Sequence, residues 1–176
     1  MKTYDVRQEH VQFPLHPDTP PGGIALSELF AGRKLDLNAM HARMKALMDA
    51  EGLPYERRER TYNSRLAQEL GKWGDAAGRP AIHDALYRAY FVDGADISSI
   101  ETLVGIADRA GLPADEARRI LNERTFRSAV DRDWTRARKF GVTGVPTFVA
   151  DDRAVVGAQP YEMLEQLVQL AGAKQR

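Results

Sequence analysis

Apolar positions recur at helical spacing along most of the chain and at strand spacing only near its two ends. Val6–Phe13 mixes apolar and polar residues, with Val11 and Phe13 on one side, and stops at Pro14, which predicts a strand. Leu15-His-Pro-Asp-Thr-Pro-Pro-Gly-Gly23 is dense in residues that fix or free φ and predicts an irregular connection. Leu26–Phe30 suits a helical turn. From Asp36 onward Leu37, Met40, Met44, Leu47 and Met48 share one helical face, with Asp36 placed to cap the helix and Gly52 to end it. That methionine-rich face is expected to be ordinary core, since thioether side chains fill irregular gaps.

The same reading carries on through the middle of the chain. Asn63-Ser64 is placed to cap a helix carrying Leu66, Leu70 and Trp73, which Gly78 and Pro80 terminate. Ile82, Leu86, Ala89 and Tyr90 stripe the next helix, beside Tyr87 and Phe91, until Asp93-Gly94. Ser98-Ser-Ile-Glu101 has the spacing of a capping box and launches a helix closed by Gly111. Pro113 opens a short helix with Ala117, Ile120 and Leu121 inside, and Phe126, Val130 and Trp134 mark a longer one. Residues 36–122 thus read as an α-helical block.

Gly141-Val-Thr-Gly-Val-Pro-Thr-Phe-Val-Ala150 changes the register of the chain. Gly141 suits a left-handed helix cap, and Pro146 opens Thr147-Phe148-Val149, whose β-branched and aromatic character predicts a buried strand. Asp151-Asp152 can turn the chain into a return strand at Arg153-Ala-Val-Val156. Val156-Gly-Ala-Gln-Pro160 then leads to a last helix with Met163, Leu164, Leu167, Val168 and Leu170 on its apolar face.

This order of helix, G-V-T-G-V-P-T-F, short hairpin, V-G-A-Q-P and helix resembles the C-terminal half of the thioredoxin fold in the DsbA-like family. Within that family it is similar to the FrnE-like and 2-hydroxychromene-2-carboxylate-isomerase-like branch. Phe13-Pro-Leu-His-Pro-Asp-Thr-Pro20 is similar to the same branch, at the segment that follows its redox-active helix. The resemblance implies an α/β thioredoxin-like (DsbA-type) fold with a large α-helical insertion. It implies one domain over 1–176, with the insertion at about 36–122 and the thioredoxin-like remainder at 1–35 and 123–176. It further implies a cis Val145–Pro146 bond and thiol–disulfide oxidoreductase activity.

Composition alters that expectation sharply. The 176 residues contain no cysteine, which excludes disulfides, thiolate metal sites and cysteine nucleophiles within them. A thioredoxin-type site needs a low-pKa thiol at a helix N-terminus and a second thiol to resolve the mixed disulfide. By resemblance both belong to a first strand–helix unit of roughly 25–40 residues ahead of Val6–Phe13. The chain is therefore expected to lack that βα unit, with three outcomes open: the two flanking strands pair directly, another chain fills the gap, or the residues are a fragment of a longer product whose start was placed too late. With the unit goes the serine that isomerase-like and kappa-class glutathione-transferase relatives would use. No catalytic residue is expected in these residues, and redox inactivity follows.

The remaining chemistry is sparse. Val145, Pro146 and Thr147 are the candidate substrate-binding residues, which by resemblance face an extended peptide or a glutathione-like thiol. Two other readings stand beside that one: a peptide- or partner-binding module using the Pro146 loop and open sheet edge, and a glutathione-dependent isomerase-like relative. The four histidines show no metal-ligand spacing, and His41 and His83 are expected to be ordinary helix residues. No metal and no cofactor is expected. Twenty-five basic against twenty-five acidic residues argue against nucleic acid or an anionic membrane as partner. The run Glu56-Arg-Arg-Glu-Arg60 reads as a solvated loop. Hydrophobic residues at 43% and no apolar run near the roughly 20 residues of a membrane span, with no secretory signal, predict a cytoplasmic protein. The open sheet edges are expected to be buried in a homodimer.

Overall fold

In a computed structural model, residues 3–176 are described, and they divide into two compact units: His16–Val130, and the segment up to Leu15 together with Asp131–Arg176. In chain order the elements are β1 (Ile24–Ala25), α1 (Leu26–Leu29), α2 (Leu37–Ala50), β2 (Arg60–Thr61), α3 (Arg65–Ala76), α4 (Ala81–Phe91), α5 (Ile100–Arg109), α6 (Ala114–Asn122), α7 (Arg127–Lys139), β3 (Thr147–Ala150), β4 (Arg153–Val156) and α8 (Tyr161–Leu170). Among the described residues two two-stranded antiparallel sheets form, β1 with β2 and β3 with β4.

The His16–Val130 unit is built around α3–α6. Leu70, Ile82, Leu103, Ala107, Ala117 and Leu121 are buried in one cluster, as their 3.6-residue spacing predicts. Burial of each large aliphatic side chain contributes about 1.5–3 kcal/mol, so this cluster is the main store of the unit's stability. The caps follow local chemistry. Asp36 Oδ1 accepts from the Asn38 and Ala39 N–H groups at 2.9 and 3.0 Å, contributing about 1 kcal/mol. At α3 the side chain that caps is Asn63, which accepts from Arg65 N–H at 3.0 Å, while its amide holds the carbonyls of Pro17 and Thr19.

Several expectations are corrected here. The cap of α5 is Ser99, one residue later than the capping-box reading, because the Asp96 carboxylate already takes the Ser98 N–H and hydroxyl. Glu101 pairs with Arg118 of α6 and does not reach back to the cap. The methionine face of α2 is not core: Met40, Met44 and Leu47 are 46%, 43% and 46% exposed, and α2 has no buried residue. Its spacing shows which side of the helix is apolar, but α3–α6 already fill the core of the unit. Nor is Glu56–Arg60 simply a solvated loop. Its last residue starts β2, and the Arg58 guanidinium stacks on Tyr90 and Phe91 at 4.2 and 4.8 Å.

In the other unit the C-terminal half of α7 ends at Gly141, whose φ of +69° suits the left-handed cap, with Val142 N–H donating to Ala137 O. The hairpin pairs Thr147 with Val156 and Ala150 with Arg153, and α8 packs against it with Leu167 buried. Tyr4 anchors the chain's first segment: it is 1% exposed, donates to Glu165 Oε1 at 2.9 Å, and accepts from Gln169 and Gln175. Val6–Phe13 is not a strand. A strand needs a neighbour, and here the Gln12 N–H goes instead to the Asp133 carboxylate at 3.0 Å, while β3 takes β4 as its partner. The strand at Thr147–Ala150 forms where predicted but is not buried, since Phe148 and Val149 stay exposed on a sheet only two strands wide. Among the described residues no helix is long and apolar enough to cross a membrane.

Candidate functional site

The loop before β3 is organised by three local interactions. The Val145–Pro146 peptide bond is cis. The Thr147 hydroxyl donates to Gly144 O at 2.7 Å, closing the turn, and Gly157 N–H donates to Pro146 O at 2.8 Å. The last bond sets the phase of the hairpin. Residues 146 and 157 form a hydrogen-bonded pair, and such pairs alternate along an antiparallel ladder, so Phe148 and Ala150 point their backbone groups at β4. The N–H and C=O groups of Thr147 and Val149 therefore face the other way, along an edge that no other described strand covers.

All three residues expected to bind substrate lie at this edge. Val145 and Pro146 are exposed and Thr147 is half-buried. Beside them Phe148, Val149 and Val156 expose apolar side chains, which the sequence reading did not assign to the site. Spacing predicts both strands but not that the sheet stops at two, which leaves these three side chains uncovered. Chemically the edge offers backbone donors and acceptors flanked by apolar surface.

The histidines in helices are each engaged. His83 is buried and its Nε2 lies 2.8 Å from Asp75 Oδ1. His41 Nδ1 lies 2.8 Å from the Tyr55 hydroxyl, and its pKa is held below 6.5 by burial first and then by the charges of Arg57 and Arg58. The unfolded chain accepts this proton near 6.5 and the folded chain resists it. The contribution of neutral His41 to stability is therefore fully present above about 6.5 and lost as pH falls through its lowered value. Urea unfolding between pH 5 and 7.5 should show this slope, and His41→Gln should flatten it.

Comparison with known proteins agrees with the fold. The DSBA-like thioredoxin domain profile matches residues 2–169. The crystal structure of a probable DsbA oxidoreductase from Streptomyces coelicolor is 32% identical and superposes with a TM-score of 0.83, over 93% of this chain and 74% of that one. A candidate protein disulfide isomerase from Nitrosomonas europaea (14% identity, TM-score 0.63, 86% of this chain and 77% of that one) shares the fold. So does a 2-hydroxychromene-2-carboxylate isomerase (19% identity, TM-score 0.61, 77% of this chain and 66% of that one). No curated protein matches the sequence.

Proposed function

The chain belongs to the DSBA-like thioredoxin domain family, and from that premise we propose that its 176 residues have no dithiol redox activity of their own and bind an extended peptide at the edge of β3. The first half rests on chemistry. Disulfide exchange proceeds by attack of a thiolate, and the sequence contains no cysteine to supply one. The second half rests on the unpaired backbone groups of Thr147 and Val149 next to exposed Val145, Pro146 and Phe148. An extended segment laid along this edge gains main-chain hydrogen bonds at every second residue and apolar contact from its alternate side chains.

Two measurements test the reading. In an insulin-reduction assay with dithiothreitol the chain should give no rate above background, and catalysis above background would refute redox inactivity. A fluorescein-labelled, unstructured peptide should bind saturably by anisotropy. Val149→Pro removes one outward N–H without touching the β3–β4 ladder and should weaken binding about tenfold, the equivalent of one lost hydrogen bond of about 1.4 kcal/mol. Absent binding, or equal binding by the folded variant, would overturn the peptide site. A second copy presenting the same edge is the competing occupant, which sedimentation velocity would detect as concentration-dependent dimerisation.

A further inference from the structure

Within the His16–Val130 unit, Arg57, Arg58, Glu59 and Arg60 line a cleft of about 190 Å³ together with Tyr62 and Tyr90. Three arginines and one glutamate line it, a surplus of two positive charges in a protein whose overall formal charge is zero. The cations are not equivalent. Arg60 is spent on structure, with Nη2 donating to the carbonyls of Gly22 and Gly23 at 3.0 Å each. Arg58 is stacked on Tyr90 and Phe91, and its Nε and Nη1 are enclosed without a hydrogen-bond acceptor. Enclosed donors on a cation are costly unless an acceptor or counter-charge is near, and the ring faces offset only part of that cost. Arg57 is exposed beside it.

We propose that this cleft binds a small phosphate dianion, free or as the end group of a small ester, with Arg57 and Arg58 as its charge partners. Its charge matches the surplus. Guanidinium groups are the side chains best suited to phosphate oxygens, through parallel N–H donors and weak hydration. Tyr90 is held by its hydroxyl 2.8 Å from Thr61 Oγ1, so the ring under Arg58 is fixed and the guanidinium plane with it. Size sets the class of ligand. A cleft of about 190 Å³ is smaller than the roughly 300–1,000 Å³ of sites that enclose drug-sized ligands, which favours a phosphate or a compact ester over a nucleotide. The pKa of His41 is lowered by burial first and then by the charges of the same two arginines.

The test uses the whole chain and thermal unfolding at pH 7.5 in increasing inorganic phosphate, with sodium chloride adjusted to keep ionic strength constant. Phosphate at about ten times its Kd should raise Tm by about 3–6 °C and then approach saturation. Arg57→Gln, an exposed substitution, should abolish the rise. Arg119→Gln on α6, whose partners are Glu116 and Glu123, should keep it. Bound phosphate should also raise the pKa of His41, read from its ring proton by NMR. Phenyl phosphate added in parallel distinguishes the two sources, by whether the ester or the free ion binds more tightly. A response that does not saturate, no response, or any other pattern between the two variants overturns the site.

Discussion

Replacing Glu69 by alanine should lower the unfolding free energy by about 3–5 kcal/mol, the range for removing one member of a buried ion pair. The Glu69 side chain is 2% exposed and accepts from Arg65 Nε at 3.0 Å and from Arg124 Nε and Nη2 at 2.9 and 2.6 Å. Its loss takes a carboxylate from Arg65, whose side chain is only 16% exposed and keeps its Nη2 bond to the Arg127 carbonyl at 2.9 Å, whereas Arg124 at 39% can turn to water. The lower half of the range is therefore expected. Arg124→Ala should cost less, because Glu69 keeps Arg65. Replacing all three by Leu and Met should recover most of the loss, since an apolar trio does not have to shed the water that three charges do. Urea denaturation of the set would measure this, and a loss below about 1 kcal/mol for Glu69→Ala would show that water reaches the carboxylate.

Gly74→Ala is the second large effect, and its sign opposes helix propensity. An alanine inside α3 would be favoured over glycine by about 1 kcal/mol on propensity alone. A Cβ at position 74, however, would overlap Ile82 Cγ2, lie 3.0 Å from Ile82 Cβ and 3.2 Å from Arg79 O. Ile82 is fully buried and stiff at χ1, so it cannot swing away. Overpacking of this kind costs about 1–3 kcal/mol, and with so short an approach the steric cost should exceed the propensity gain. Net destabilisation of about 1–2 kcal/mol is expected. Ile82→Ala removes Cγ2 and opens space, so the double variant should be clearly more stable than the sum of the singles predicts. Strict additivity would show that α3 and α4 do not meet at this point.

Both effects arise from residues the sequence reading passed over. Glu69 looks like any polar residue between Leu66 and Leu70, and Gly74 like a weak spot in a helix. What could be read were local patterns: Asp36 as a cap, Ala117, Ile120 and Leu121 as an inner face, the hairpin at 147–156 to the residue, and the family from its G-V-P-T-F signature. Each of these is encoded within a few neighbouring residues, through dihedral preference, side-chain capping or periodicity.

The site was legible only in part. Val145, Pro146 and Thr147 are singled out only through the resemblance of G-V-P-T-F to the DsbA-like family, and they lie at the free edge of β3. That Phe148, Val149 and Val156 expose apolar side chains beside them depends on the sheet being only two strands wide. The stacking of Arg58 on Tyr90 and Phe91 joins residues more than thirty positions apart, across a stretch with no pattern of its own.

By itself, then, the sequence determined the element types, the caps that short-range hydrogen bonds decide, the family, and the absence of any thiol to carry redox chemistry. Tertiary structure alone decided that the methionine face of α2 stays exposed, that Val6–Phe13 forms no ladder, and that one arginine of an apparently solvated run is enclosed against two rings. Periodicity tells a chain which of its surfaces are apolar or extended. Whether a surface is covered, or a strand paired, depends on which distant segment meets it and whether that segment's own groups are already engaged.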